Sequence, residues 1–204
     1  MYKQVINQKT EQLLKLLVEG KYINNFYLAG GTALALQFGH RKSIDLDWFS
    51  KNNFNTQELR EKLSKIGQVV IEAEEENTLD LILSDVKLTF LGYNYNLLFP
   101  LIDYQGIKIA DYRDIACMKL DTVSSRGSKK DFIDLYFIFK KIPFKELFEL
   151  FEKKYSKIKF NKLHILKSLN YFIDADKELM PIMIEDISWR EVKDYFKDLT
   201  KRIL

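Results

Sequence analysis

Two carboxylates set one residue apart inside an apolar run constrain this chain more than any other feature. The run is "IDLDWF", in which Asp45 and Asp47 alternate with Ile44, Leu46 and Trp48. On a β-strand, residues i and i+2 project from one face. Asp45 and Asp47 are therefore expected side by side, with the three apolar residues turned into a core. Adjacent carboxylates repel, and a divalent cation between them relieves the repulsion. Mg²⁺ takes oxygen ligands at about 2.0–2.1 Å, commonly one or two carboxylates plus phosphate oxygens and water. The pair thus points to a metal-assisted phosphate site, with Asp45 and Asp47 as candidate metal ligands.

The segment just before it supplies a second part. "LAGGTALALQFGHRKS" reads as a short strand, a Gly-Gly turn, a short helix from Thr32 to Phe38 closed by Gly39, and a basic loop. Gly30 and Gly31 let the backbone approach a ligand closely, and a helix start offers N–H groups to phosphate. Thr32 adds a hydroxyl. Arg41, Lys42 and Ser43 extend the candidate nucleotide-binding set, with positive charge from the first two. Each piece is common by itself. Strand, Gly-Gly-Thr, helix, basic loop and Asp-x-Asp strand in that order are much less so.

The order resembles the DNA polymerase β-type nucleotidyltransferase superfamily. Within it, "LAGGTALAL…HRKSIDLDWF" is very similar to the AbiEii/AbiGii toxin family. A further segment, "MKLDTVSSRGSKKDFIDLYFIF", carries the rest of the resemblance, which spans about residues 25 to 140. Lys119 matches the family's lysine and Asp131 its aspartate, with Asp134 three residues later on the same helix face. The resemblance implies four catalytic residues, Asp45, Asp47, Lys119 and Asp131. Lys119 would act as a point charge on the triphosphate, and Asp131 would orient it or help activate the attacking hydroxyl. Arg126, Lys129 and Lys130 would line the mouth of the site, Arg126 and Lys130 being counted with Lys119 among the nucleotide-binding residues. One departure stands out. Where many members of the superfamily place a third carboxylate on a later strand, "DVKLTFLGY" offers Thr89. Asp80 and Asp85 lie nearby, and both read as turn or strand-end residues. Phosphate and water, or Asp131, would then complete the metal site.

The resemblance further implies an Mg²⁺ (or Mn²⁺) cofactor, a nucleoside triphosphate substrate, an RNA acceptor, tRNA in particular, and a growth-arresting toxin restrained by a cognate antitoxin. Two alternatives stay open. A transferase acting on a small molecule would show transfer without RNA, and an inactive binding module would bind neither Mg²⁺ nor triphosphate tightly. The preferred base, the acceptor and the oligomeric state are not legible.

Periodicity fills in the frame. A helix is expected from about Lys3 to Glu19, and another opened by an Asn55/Glu58 capping box. "QVVIEAEEE", "TLDLILS" and "VKLTFLGY" read as strands, with Ser84-Asp85 at a hairpin tip. "LLFPLID" and "IKIA" read as a further pair around Gln105-Gly106. Beyond Asp111 the pattern is helical, with Ser128 capping one helix and Ser188 with Glu191 boxing the last. The fold class is therefore α/β (α+β): a mixed sheet with flanking helices over residues 1–110, then a helical region over 111–204 packed on that core and completing the site. The 204 residues, 47% hydrophobic, can bury a proper core. No apolar run reaches the roughly 18–20 residues of a membrane span, and no signal peptide is visible. Cys117 is the only cysteine, so no disulfide can form within the chain, and a cytoplasmic location is expected. Two histidines, His40 and His164, argue against a His-rich zinc site.

Overall fold

Short β-branched and aromatic runs need neighbours to become strands, and here seven of them share one sheet. The computed structural model describes residues 1–203. The chain divides into two units, Met1–Asp111 and a second from Tyr112 onward.

The first unit holds strands β1 (Tyr27–Ala29), β2 (Leu46–Ser50), β3 (Val69–Glu75), β4 (Thr78–Leu83), β5 (Val86–Gly92), β6 (Ile102–Tyr104) and β7 (Ile107–Ile109). Their order across the sheet is β3-β4-β5-β2-β1-β7-β6. Pairs β2–β5 and β1–β7 are parallel; the other pairs are antiparallel. Three helices accompany it: α1 (Gln8–Glu19), α2 (Gly30–Phe38) and α3 (Thr56–Leu63).

Register explains the core. Leu46 faces Leu88, which faces Leu81; Trp48 faces Phe90, which faces Leu79. Partners in register share a face, and all six side chains are fully buried. Phe26 adds edge-on contacts at 5.1 Å to both Phe90 and Phe54. The β4–β5 hairpin turns on Ser84 (φ +50°) and Asp85 (φ +65°), two successive left-handed residues as a tight primed turn requires.

Several expectations shift. The first helix starts at Gln8, because the Asn7 side chain accepts the Thr10 N–H and caps it there. Residues Lys3–Val5 form a separate 3-10 turn. The strand bearing the aspartates begins at Leu46, so Ile44 lies outside it and is exposed instead of buried. Asp80 sits in the middle of β4, not at a turn or strand end. "LLFP" forms no strand.

The second unit contains α4 (Tyr112–Ser125), α5 (Lys129–Phe139), α6 (Phe144–Lys154), α7 (Lys162–Ser168), α8 (Ile173–Lys177) and α9 (Trp189–Ile203). Helix α4 packs on α5, α6 and α7, and α5 on α8 and α9. Phe132 and Phe139 of α5 meet Phe196 of α9 at 5.5 and 6.0 Å. The Ser188 box closes as expected: its N–H donates to Glu191 Oε2 at 2.8 Å, and the Glu191 N–H returns to Ser188 Oγ at 3.2 Å. Between α4 and α6 a fully buried ion pair joins Asp114 to Lys154 at 2.7 Å. Lys154 follows Leu147 and Phe151 along the apolar face of α6 and is buried with them. Among the described residues, no helix is long and apolar enough to cross a membrane.

Candidate active site

The site starts where β1 runs into α2. Gly30 has φ +67°, and a Cβ there would lie 2.2 Å from Asp47 Oδ2. Glycine is required twice over, by its backbone angle and by the carboxylate resting against it. A Cβ on Gly31 would lie 2.5 Å from Arg41 Nη2. The guanidinium therefore lies over the first turn of α2. The N-cap residue, Ala29, makes no side-chain cap, and a helix start directs N–H groups toward an anion.

Thr32 and Ser43 hold the basic loop in place. Thr32 is fully buried. Its hydroxyl lies 2.9 Å from Ser43 Oγ and donates to the Asp45 carbonyl. Ser43 N–H donates to the Val5 carbonyl at 3.0 Å, and Lys42 Nζ donates to the Gln4 carbonyl. Arg41 is almost fully buried, with Nη1 donating to the Lys42 carbonyl at 3.0 Å. Of the basic loop residues, only Lys42 is exposed.

Asp45 and Asp47 are both half-buried. Asp47 registers with Ala29 on one side and Thr89 on the other. Thr89 in turn registers with Asp80. Asp47, Thr89 and Asp80 therefore stand in one row on the sheet face opposite the Leu46/Trp48 core. Asp80 Oδ1 is buried with no hydrogen-bond partner. Lys87 lies on the same face as Thr89. The Glu72 carboxylate, 2.5 Å away, raises its pKa first, and Asp80 and Asp45 add to the effect. Lys87 thus feels both carboxylates, while Asp45 itself precedes the strand.

Among the described residues, no group of three or more histidine, cysteine or acidic side chains forms a ready-made metal cage. The donors present nevertheless suit Mg²⁺. They are oxygen only: Asp45 and Asp47 are half-buried two residues apart, and the Asp47 carboxylate lies against the start of α2. Mg²⁺ commonly binds through one or two carboxylates with phosphate and water supplying the rest.

The second unit contains the other group of residues singled out by the sequence. Lys119 Nζ on α4 lies 2.6 Å from Asp131 Oδ1 and 2.8 Å from Asp134 Oδ2, both on α5. The Lys119 and Asp131 side chains are each 11% exposed, and Asp134 is fully enclosed. Ser128 caps α5 and donates to Asp131 Oδ2 at 2.8 Å. Two carboxylates on one ammonium fix its direction. The 11% exposure of Lys119 leaves it open on one side.

The remaining basic residues separate. Arg126 and Lys130 are exposed near the start of α5. Lys129 is buried, its backbone N–H on Glu178 Oε2 at 2.8 Å and its ammonium 5.3 Å from the Trp189 ring centre. It braces α8 and α9 and does not line a mouth. His164 is exposed, its Nε2 2.9 Å from the Ser124 carbonyl. Burial pushes the Cys117 thiol up to about 12, so it is no nucleophile. Asp80, set aside from sequence as a turn or strand-end residue, is the alternative that the register brings into the row of Asp47. The Ser84-Asp85 tip, once accepted, pairs Leu83 with Val86 and so Asp80 with Thr89 by simple counting.

Comparison with known proteins follows this geometry. The family model described as "Nucleotidyl transferase AbiEii toxin, Type IV TA system" matches residues 12–202. The match runs well past residue 140 into helices where no chemical motif is visible. An uncharacterized protein of Aquifex aeolicus (strain VF5) is 38% identical over 211 residues, covering 98% of each chain. Among solved structures, JHP933 from Helicobacter pylori aligns with a TM-score of 0.58 at 18% identity, covering 97% of this chain and 93% of that one. MenT4, a nucleotidyltransferase toxin of Mycobacterium tuberculosis H37Rv, aligns at 0.50 and 12% identity, covering 94% and 84%. The Megavirus polyadenylate synthase aligns at 0.50 and 15%, covering 66% and 32%. At such identities the structural likeness speaks for the fold.

Proposed function

Because this chain belongs to the AbiEii family of nucleotidyltransferase toxins, we propose that it moves a nucleoside monophosphate from an NTP to a hydroxyl of RNA, tRNA foremost, with Mg²⁺ as cofactor. The observation that supports the reading is the close approach of the Asp47 carboxylate to Gly30, which sets an acidic side chain against the start of α2.

In this reading Asp45 and Asp47 hold the cation, and the N–H groups at Gly30 and Gly31 receive phosphate oxygens. When bound there, the divalent ion neutralises the triphosphate and polarises the α-phosphoryl group. Thr32, hydrogen-bonded to Ser43, donates to the Asp45 carbonyl and so holds the backbone that carries that carboxylate. Arg41 adds fixed positive charge beside Gly31. Lys119, held in direction by Asp131 and Asp134, steadies the triphosphate. The acceptor hydroxyl attacks the α-phosphorus, its proton leaves to base or water, and the bond to the bridging oxygen breaks to release pyrophosphate. Such a displacement depends chiefly on alignment and charge neutralisation. Asp80, whose buried Oδ1 has no hydrogen-bond partner, would supply a further negative charge in the same row as Asp47. Arg126 and Lys130 supply exposed charge for nucleotide or RNA phosphate. A cognate antitoxin is the partner such a toxin calls for.

The test is direct. The purified protein is incubated with Mg²⁺, total bacterial tRNA and each α-³²P-labelled NTP in turn, beside Asp47→Ala. Label on RNA with the wild type alone supports the proposal and identifies the base. No label on any acceptor, with no triphosphate binding by calorimetry, refutes it.

A further inference from the structure

The first unit has a second recess, at the other end of the β1–β2 ladder from the Ala29–Asp47 pair. It is a cavity of about 560 Å³ between the end of α1, the start of β1 and helix α3. That volume is in the range of small-ligand sites, roughly 300–1,000 Å³. Its floor is apolar: Phe26 and Leu59 are buried and Phe54 is half-buried. Its rim is basic. Lys62 is paired with Glu58 at 2.5 Å. Lys21 and Lys65 have no carboxylate partner among the described residues. Their two positive charges are uncompensated.

Two further features narrow the ligand. Tyr22 lines the cavity half-buried, its ring lying across Gly20, where a Cβ would come within 1.9 Å. Asn24, Asn25 and Asn53 present exposed amides with no partner among the described residues. An acidic peptide would use the lysines and leave the aromatic and amide groups without a role. A nucleotide uses all three: phosphate on lysine, base on an aromatic ring, base edge on amides that both donate and accept.

We propose that this cavity binds a nucleotide unit through Lys21, Lys65 and Tyr22. The nucleotide is either free or one residue of a single-stranded RNA. The site stands apart from the metal-binding carboxylates and does not depend on the catalytic reading.

The experiment is run in EDTA, so that metal-dependent triphosphate binding does not contribute. A fluorescein-labelled 12-nucleotide single-stranded RNA, adenosine 5′-monophosphate and inorganic phosphate are titrated against wild type, Lys21→Ala/Lys65→Ala and Tyr22→Ala at several salt concentrations. All three substituted side chains reach the surface, and thermal melts confirm folding. The double variant is expected to weaken RNA at least tenfold at low salt. The slope of log K against log salt should fall by about 1.4, or 0.7 per lost phosphate contact. Tyr22→Ala should weaken binding about fivefold or more with the slope unchanged. RNA binding far tighter than adenosine monophosphate assigns the site to a strand. Equal binding that both variants weaken assigns it to a free nucleotide. Wild-type affinity and slope in the double variant overturn the proposal, as does phosphate competing as well as adenosine monophosphate.

Discussion

Replacing Gly30 with alanine tests the geometry of the site in two separable parts. The left-handed backbone at φ +67° costs an L-residue roughly 1–2 kcal/mol. The new Cβ would also stand 2.2 Å from Asp47 Oδ2 and 3.0 Å from its Cγ, far inside contact, while Asp47 Cβ, 3.1 Å away, need give by only a few tenths of an ångström. The carboxylate must therefore swing out of its well, at about 1 kcal/mol for a strained rotamer. Gly30→Ala is expected to lose about 2–3 kcal/mol by urea titration. In an Asp47→Ala background the carboxylate is gone, and only the backbone part of about 1–2 kcal/mol remains. The coupling is thus about 1 kcal/mol, measurable by a double-mutant cycle. The functional loss should be larger, since a reactive group misplaced by about 1 Å costs on the order of 100-fold. Mn²⁺ affinity, read by electron paramagnetic resonance, should fall with it. Equal stability costs in both backgrounds, together with Mn²⁺ affinity and label transfer within about threefold of wild type, would refute the reasoning.

Lys119→Met strands two buried carboxylates and should cost about 3–5 kcal/mol in urea titrations. Adding Asp131→Asn and Asp134→Asn should restore most of that stability while leaving transfer activity absent. Asp80→Asn should weaken Mn²⁺ binding severalfold without loss of stability, because Oδ1 gives up no hydrogen bond; unchanged affinity would remove Asp80 from the metal site. The Cys117 thiol rises from 9.0 to about 12 on burial. The unfolded chain therefore loses that proton first, and stability should decline as pH rises from about 9 toward 12. In the native state at pH 8 the thiol should resist iodoacetamide and become labelled only in denaturant.

The local parts of this molecule are readable from its residues. Gly30, Gly31 and the Asp45/Asp47 pair lie within 18 positions, so their relation needs only a turn, a helix and a strand. The Ser84-Asp85 hairpin and the Ser188 box are equally local. What escapes is whatever depends on distant chain. Strand β5 lies parallel to β2 only after α3 and two strands have crossed over, and nothing near Asp47 announces Thr89 as its neighbour. Asp80 looks like a strand-end acid until that pairing is known. Alternation also misleads where a strand stops short. Ile44 has the right spacing for the core, but β2 starts at Leu46 because the preceding loop is held elsewhere, by Thr32 and by the N-terminal turn. In the second unit, Lys119 and Asp131 were found by resemblance, whereas the buried Asp114–Lys154 pair required knowing which faces of α4 and α6 meet.

The holding of that loop gives the first few residues a mechanical importance. Tyr2 N–H donates to the Leu36 carbonyl, and the Gln4 and Val5 carbonyls receive Lys42 and Ser43. The N-terminal segment is a latch on the strip of chain that carries Asp45. Anything that pulls this latch open, by prying off a few exposed residues, slackens the strip that carries Asp45 without touching a carboxylate. Disarming such an enzyme need not mean plugging its active site; a grip on its leading end would suffice.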